Sequence, residues 1–123
     1  MKRIVLAATL ITALATALPA LAATPTFKGT VGPGFTITLA KKPTAAGKVT
    51  LTIADRSNIH NWHLRGPGGK EVAAVKSGKA VKKVDTGVGP TGTSSFTLTL
   101  KAGKYTFICD PHAAAMKGSF VVK

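Results

Sequence analysis

The sequence is poor in cysteine, in acidic residues and in long apolar runs. Cys109 is the only cysteine among 123 residues, so no disulfide can form within the chain. No long amphipathic helical pattern is present, which argues against a helical bundle. Beyond the first 22 residues, no stretch is long and apolar enough to span a membrane. These absences leave a chain of about the size of one domain with a single core.

Acidic residues are scarce compared with basic ones. Four Asp and Glu stand against 17 Lys and Arg, for a net charge of +13. A field of this strength suits an acidic partner protein, an anionic envelope surface or nucleic acid, and it also keeps a protein soluble. The basic residues are scattered, and no aromatic side chains alternate with them to form a stacking platform for bases. We therefore expect an acidic protein partner, no nucleic acid as the natural partner, and a monomer.

The first 22 residues have the layout of a secretory signal peptide. Residues 1–3 are positively charged at pH 7, residues 4–18 carry no charge, and residues 19–22 end in a small-x-small sequence. The apolar run is shorter than the about 20 residues that a bilayer span needs. We expect cleavage after Ala22, which leaves an exported domain of residues 23–123 in the periplasm or outside the cell. Losing Lys2 and Arg3 lowers the net charge from +13 to +11.

Strict alternation of apolar and polar residues predicts β-strands in most of this domain. The alternating segments are 35–39, 49–53, 96–100 and 105–109, with a last short strand at 119–122. Glycine-containing turn signals separate them at 45–48, 66–69 and 101–104. Several short strands with regular turns predict an all-β domain, a Greek-key β-sandwich. Residues 70–93 fit no single pattern and are compatible with a short helix, irregular strands or a long loop.

Cys109, His112 and Met116 follow one another closely between two predicted strands. Taken singly, the cysteine and the methionine would be core residues and the histidine an ordinary loop residue. An oxidising compartment tends to pair or oxidise a free thiol, so Cys109 is buried, paired with another molecule, or bound to a metal. Thiolate and thioether are soft ligands and imidazole suits copper, so the spacing of all three predicts a copper site.

A second histidine ligand has to come from residues 57–64, which contain both His60 and His63. His60 shares its parity with the apolar Trp62 and Leu64, whereas His63 alternates with polar neighbours. This pattern favours His60 as the ligand and predicts that His63 lies on the surface. A role for His63 as a supporting group or an extra ligand stays open.

The motifs C-D-P-H-A-A-A-M at 109–116 and H-N-W at 60–62 resemble those of the cupredoxins, the blue-copper family of plastocyanins, amicyanins, pseudoazurins and azurins. The resemblance implies one copper ion, cycling between Cu(I) and Cu(II), with His60, Cys109, His112 and Met116 as ligands. It also implies that Asn61 ties the two ligand-bearing segments together by hydrogen bonds, which would orient the ligands. Trp62 is expected in the core near the site.

The function that the resemblance implies is electron transfer, with the edge of His112 as the electron port. A role in copper binding, storage or delivery in the envelope uses the same ligands and stays open. A copper enzyme needs further histidines for a second centre, and the chain has three in all. We therefore expect no enzymatic activity and no catalytic residues.

Overall fold

A computed structural model describes residues 13–123 and contains nine strands and two short 3₁₀ turns. The strands are β1 (Thr26–Val31), β2 (Ile37–Leu39), β3 (Gly47–Asp55), β4 (His63–Arg65), β5 (Ala74–Lys76), β6 (Lys79–Val81), β7 (Gly92–Leu100), β8 (Gly103–Ile108) and β9 (Lys117–Val122). The 3₁₀ turns are Pro67–Gly69 and Asp110–His112.

The larger sheet has six strands in the order β2-β1-β3-β7-β5-β6. Strands β1 and β3 are parallel, and the long antiparallel pair of β3 and β7 forms its centre. Val49, Leu51 and Ile53 point inwards from β3, while the threonines between them stay partly exposed. This alternation follows from the two-residue period of a strand, which turns one face to the core and the other to water.

The smaller sheet has three strands in the order β4-β8-β9, all antiparallel. Its inner face carries Tyr105, Phe107 and Phe120, and the rings of Tyr105 and Phe120 are stacked. A Cβ atom at Gly118 would clash with the Phe107 ring, so this glycine leaves room for the aromatic side chain. The sheet is therefore a platform of aromatic residues facing the larger sheet.

The core between the sheets contains the inward residues of both, including the ring of Trp62. The Trp62 and Phe107 rings stack with centroids 5.1 Å apart, and the indole N–H donates to the carbonyl of Thr38. Trp62 therefore joins the segment that contains His60 to both sheets. The prediction of an all-β sandwich is confirmed, as is the core position of Trp62.

Each predicted strand overlaps a strand of the structure, but the sequence pattern missed two. Strand β1 was not predicted. Strand β4, which begins at His63 and ends just beyond the 57–64 segment, was not predicted either. Phe35, predicted to begin a strand, lies in the loop before β2. Residues 70–93 form the β5–β6 hairpin followed by a loop that leads into β7.

The predicted signal peptide is only partly within the described residues. Residues 1–12 lie outside them, and residues 13–25 have no strand or helix. Cleavage after Ala22 stays a prediction. Among residues 13–123, no helix is long and apolar enough to cross a bilayer.

Candidate metal centre

The connection between β8 and β9 is a short loop that closes on itself through backbone hydrogen bonds. The N–H of Cys109 donates to the carbonyl of Met116 at 3.0 Å, and the N–H of Met116 donates to the carbonyl of His112 at 2.8 Å. The 3₁₀ turn Asp110–His112 has Pro111 at its start, where a missing N–H costs no hydrogen bond. The loop therefore fixes the backbone of all three predicted ligands that it contains.

The segment before His60 is held by the buried carboxylate of Asp55. Asp55 accepts hydrogen bonds from the N–H of Ser57 and from the hydroxyl of Thr86. The Thr86 oxygen in turn accepts from the N–H of Trp62 at 2.9 Å. Because an irregular segment lacks ladder hydrogen bonds, these side chains supply the partners that its backbone needs. They fix residues 57–62 against the end of the larger sheet.

His60, Cys109 and His112 bring one ligand atom each to the same point. The Nδ1 atoms of the two histidines are 3.1 Å apart, and the Sγ of Cys109 is 3.6 Å from Nδ1 of His60 and 3.7 Å from Nδ1 of His112. His60 and Cys109 are buried, whereas His112 is partly exposed. The three atoms form a nearly equilateral triangle at one end of the sandwich.

The geometry and chemistry of this triangle fit a bound copper ion. Metal–nitrogen and metal–sulfur bonds are about 2.0–2.3 Å long in zinc sites, so donors of one ion can be at most about 4–4.6 Å apart. All three separations satisfy that limit. Two imidazoles and a thiolate are also the trigonal donor set of electron-transfer copper sites. Nε2 of His60 is buried and has no hydrogen-bond partner among the described residues.

Met116, the fourth predicted ligand, is buried at the end of the same loop. Its backbone is tied to both Cys109 and His112 by the hydrogen bonds described above. Its role as a ligand stays a prediction, as do the roles of the other three.

Phe35 is a feature of the site that the sequence pattern did not reveal. Its ring meets the His60 and His112 rings edge-on, with centroid distances of 5.2 and 4.9 Å, although 65% of the residue is exposed. The alternation at 35–39 suggested a strand residue instead. The Gly-Pro-Gly sequence at 32–34 was the available sign that a turn precedes β2 and brings Phe35 to this end.

Asn61 connects the two ligand-bearing segments through three hydrogen bonds. Its Oδ1 accepts from the N–H of Asp110 at 2.8 Å, and its Nδ2 donates to Oδ2 of Asp110 at 2.7 Å and to Oδ1 of Asp85 at 2.9 Å. The side chain is buried, and both of its amide hydrogens and its carbonyl oxygen are engaged in the protein interior. Asn61, which follows His60, therefore fixes the position of Asp110, which follows Cys109.

The prediction that His63 lies on the surface is wrong. Only 2% of His63 is exposed, because its ring lies between the carboxylates of Asp110 and Glu71. The parity argument failed because residues 57–62 are not a strand, so side chains there do not alternate strictly. His63 lies apart from the triangle and belongs to a second group with Asp85 and Asp110, again with ligand atoms within 4.8 Å of one another.

Charge in this second group is balanced by hydrogen bonds and ion pairs. Burial acts to raise the pKa of Asp85, but hydrogen bonds from the Gly87 N–H, Asn61 and Lys83 outweigh it and lower the pKa below its usual value. The hydrogen bond between Lys83 and Asp85 also raises the pKa of Lys83. Arg65 pairs with Glu71 at 2.6 Å. The carboxylates near His63 therefore already have protein partners.

Comparison with known proteins shows the family and the fold. A family model described as copper binding proteins of the plastocyanin/azurin family matches residues 31–123. No curated protein sequence matches the chain significantly.

Solved structures with the same fold include auracyanin A, described as a "blue" copper protein from the green thermophilic photosynthetic bacterium Chloroflexus aurantiacus. It is 21% identical, with a TM-score of 0.56, over 82% of this chain and 100% of that one. Reduced rusticyanin is 25% identical, with a TM-score of 0.53, over 85% and 82% of the two chains. A multi-copper oxidase from Pediococcus acidilactici is 19% identical, with a TM-score of 0.53, but only 29% of its chain is covered.

Proposed function

The chain belongs to the plastocyanin/azurin family of copper-binding proteins, a cupredoxin with copper as its cofactor, and on this premise we propose that it transfers single electrons in the periplasm or outside the cell. The observation that carries the proposal is the triangle of His60, Cys109 and His112. We propose these three residues as ligands of one copper ion, with Met116 as a weaker fourth ligand. Copper supplies the one-electron couple, Cu(I)/Cu(II).

The protein's own contribution is to hold the donors in one arrangement. Backbone hydrogen bonds within the 109–116 loop and the Asp55–Thr86 contacts fix the two segments independently of an ion. A fixed donor set needs little rearrangement when the charge at its centre changes by one. Burial of His60 and Cys109 keeps water away from the donors, and local hydrophobicity is one of the factors that set the potential.

Electrons would enter and leave at the partly exposed edge of His112. The neighbouring Ala113, Ala114 and Ala115 are small, and Phe35 adds an exposed apolar ring to the same end. Small side chains lose little conformational entropy on docking. Weak and brief docking suits redox encounters, whose interfaces are small.

The basic surface would guide an acidic redox partner. A net charge of +11 on the exported residues 23–123 raises the rate of encounter with an acidic protein, and salt would reduce this effect. We propose that the exported form is residues 23–123, which makes the N-terminal sequence of the protein recovered from the periplasm or medium a direct check of both location and cleavage.

The decisive experiment adds one equivalent of Cu(II) to the purified protein and records its visible and EPR spectra. We expect an intense thiolate-to-copper charge-transfer band that is absent in Cys109→Ser. A colourless protein with unchanged stability would overturn the proposal. Cyclic voltammetry then separates electron transfer from copper delivery, because a carrier cycles reversibly and keeps its copper in the presence of a Cu(I) chelator.

Met116→Leu tests the fourth ligand. Removing a thioether should leave copper bound and raise the reduction potential, because the axial ligand tunes the potential. The measurement is protein-film voltammetry against the wild type. An unchanged voltammogram would show that Met116 is not axial.

A further inference from the structure

His63 is a buried histidine with a carboxylate at each ring nitrogen. Nδ1 lies 2.8 Å from Oδ2 of Asp110, and Nε2 lies 2.8 Å from Oε2 of Glu71. An ionised carboxylate only accepts hydrogen bonds, so a ring nitrogen that bonds to one is the donor. The side chain of His63 is 3% exposed, whereas those of Asp110 and Glu71 are each 40% exposed. The ring is therefore the fixed centre of the group and its two partners lie at the rim.

On one side of the ring, His63 contacts Asp110, which lies in the loop that holds the proposed ligands. Oδ2 of Asp110 accepts from His63 and from Asn61, and the Asp110 N–H donates to Asn61. Asp110 follows Cys109 and begins the 3₁₀ turn that ends at His112. Its carboxylate is partly open to solvent, so a single donor would leave it free to exchange with water. Two donors on one oxygen fix its position.

On the other side, Glu71 connects the ring to the end of β4. Glu71 pairs with Arg65 through its other oxygen at 2.6 Å, and the backbones of these two residues form an isolated β-bridge. His63 itself begins β4, which pairs with β8 just before Cys109. The ring of His63 is thus fixed by the backbone of β4 and by its contact with Glu71. It can therefore fix the position of Asp110.

We propose that His63 is a positioning residue of the copper centre, and that it acts through its Nδ1–H bond to Asp110. The contact fixes the backbone between Cys109 and His112 relative to β4, in addition to what Asn61 does. This inference rests on the proposed function, because positioning matters only if Cys109 and His112 hold copper. His63 itself touches neither the ion nor the reacting atoms.

Two substitutions test the contacts of the two ring nitrogens of His63 separately. In His63→Asn the amide nitrogen takes the approximate place of Nδ1 and can still donate to Asp110. In His63→Gln the amide nitrogen takes the approximate place of Nε2 and can still donate to Glu71. Both replace a ring with a smaller amide, so they share the loss of packing and differ in the contact that survives.

The first measurement is amide hydrogen exchange of the metal-free protein, read at Asp110 with Leu51 of the central β3 strand as the reference. We expect exchange at Asp110 to accelerate about tenfold or more in His63→Gln, the equivalent of one hydrogen bond to a charged group. In His63→Asn it should stay within about threefold of the wild type. Equal rates in the two variants, after correction for exchange at Leu51, would overturn the proposal.

The second measurement uses the copper-loaded proteins. The EPR parameters, the charge-transfer band and the reduction potential should shift in His63→Gln and return to wild-type values in His63→Asn. A merely structural residue would lower the unfolding temperature of both variants without changing these signatures. Wild-type spectra in both variants would contradict the proposal.

These readouts also separate this inference from the proposed function. If the wild-type protein never develops the thiolate-to-copper band, the proposed function fails while amide exchange still tests the contact. Should His63→Gln not fold, ¹⁵N NMR of the wild-type ring supplies the test. An Nδ1–H bonded to Asp110 is expected, and an Nδ1 that carries no proton would overturn the proposal.

Discussion

Residues 13–123 contain two clusters of three potential metal ligands, and these clusters are built from neighbouring residues of the same segments. One consists of His60, Cys109 and His112, and the other of His63, Asp85 and Asp110. In each, the ligand atoms lie within 4.8 Å of one another. Proximity of suitable side chains therefore does not distinguish the two.

The difference lies in what already occupies the donor atoms. In the second cluster the carboxylates of Asp85 and Asp110, like that of the neighbouring Glu71, face cationic or N–H groups, which belong to Arg65, Lys83, His63 and Asn61. In the first, the two Nδ1 atoms and the sulfur have no hydrogen-bonding partner but one another among residues 13–123, and Nε2 of His60 has none at all. We therefore expect the first cluster to bind an ion and the second to support it.

The largest expected effect comes from removing one histidine from each cluster. His60→Ala should abolish the charge-transfer band and tight copper binding, because only one imidazole would remain beside Cys109. His63→Ala should still bind one copper per chain. Copper stoichiometry after gel filtration, together with the visible spectrum, gives the answer. Copper retained by His60→Ala and lost by His63→Ala would reverse the assignment of the two clusters.

A smaller effect is expected when the support of the His60 segment is weakened. Thr86→Val keeps the side-chain shape but removes the donor to buried Asp55 and the acceptor for the Trp62 N–H. Leaving buried polar groups without partners should lower the free energy of unfolding by about 1–3 kcal/mol. Urea denaturation of the metal-free protein measures this loss.

Thr99→Val on the exposed face of β7 is the matched control. A surface substitution of this kind should change the free energy of unfolding by no more than about 0.5 kcal/mol. Equal losses in the two variants would show that the hydroxyl of Thr86 does not support the segment.

The smallest expected effect is on how the stability of the fold depends on pH in the acidic range. Because the pKa of Asp85 is lowered in the folded protein, the ionised carboxylate stabilises the fold above the pKa of the unfolded chain, and this contribution disappears as the pH falls through the folded value. Asp85→Asn should therefore be less stable at neutral pH by about 1 kcal/mol. The difference should shrink below about pH 4, where unfolded Asp begins to protonate.

Thermal unfolding of both proteins from pH 7 to pH 2.5 tests this pH dependence. The wild type should lose stability more steeply in acid than Asp85→Asn. Parallel curves would show that the hydrogen bonds to Asp85 do not favour its ionised form.

Local patterns predicted most of the sandwich because apolar and polar residues alternate along much of β3, β7 and β8. The parallel strand β1 was missed, since Thr26–Val31 contains a glycine and a lysine and lacks a clean alternation. The β5–β6 hairpin was ambiguous because its strands are three residues long and largely exposed. In β1 and in the β5–β6 hairpin, the alternation of apolar and polar residues is too weak to predict a strand.

The triangle could be anticipated because spacing and side-chain chemistry are both visible in the sequence at 109–116. The environment of His63 could not, since Glu71 and Asp110 reach it only after β4 pairs with β8. Phe35 likewise meets the two imidazoles only because the loop before β2 ends at the same pole of the fold. Contacts between distant segments depend on topology, which local periodicity does not specify.

The stacked rings of Trp62 and Phe107 have a practical consequence for following the centre. Trp62 comes two residues after His60, Phe107 comes two residues before Cys109, and the chain has no other tryptophan. Intrinsic fluorescence therefore comes from an indole wedged between the two parts of the polypeptide that must stay together. A single optical signal can report metal uptake by quenching and loosening of the centre by a red shift, with no label added.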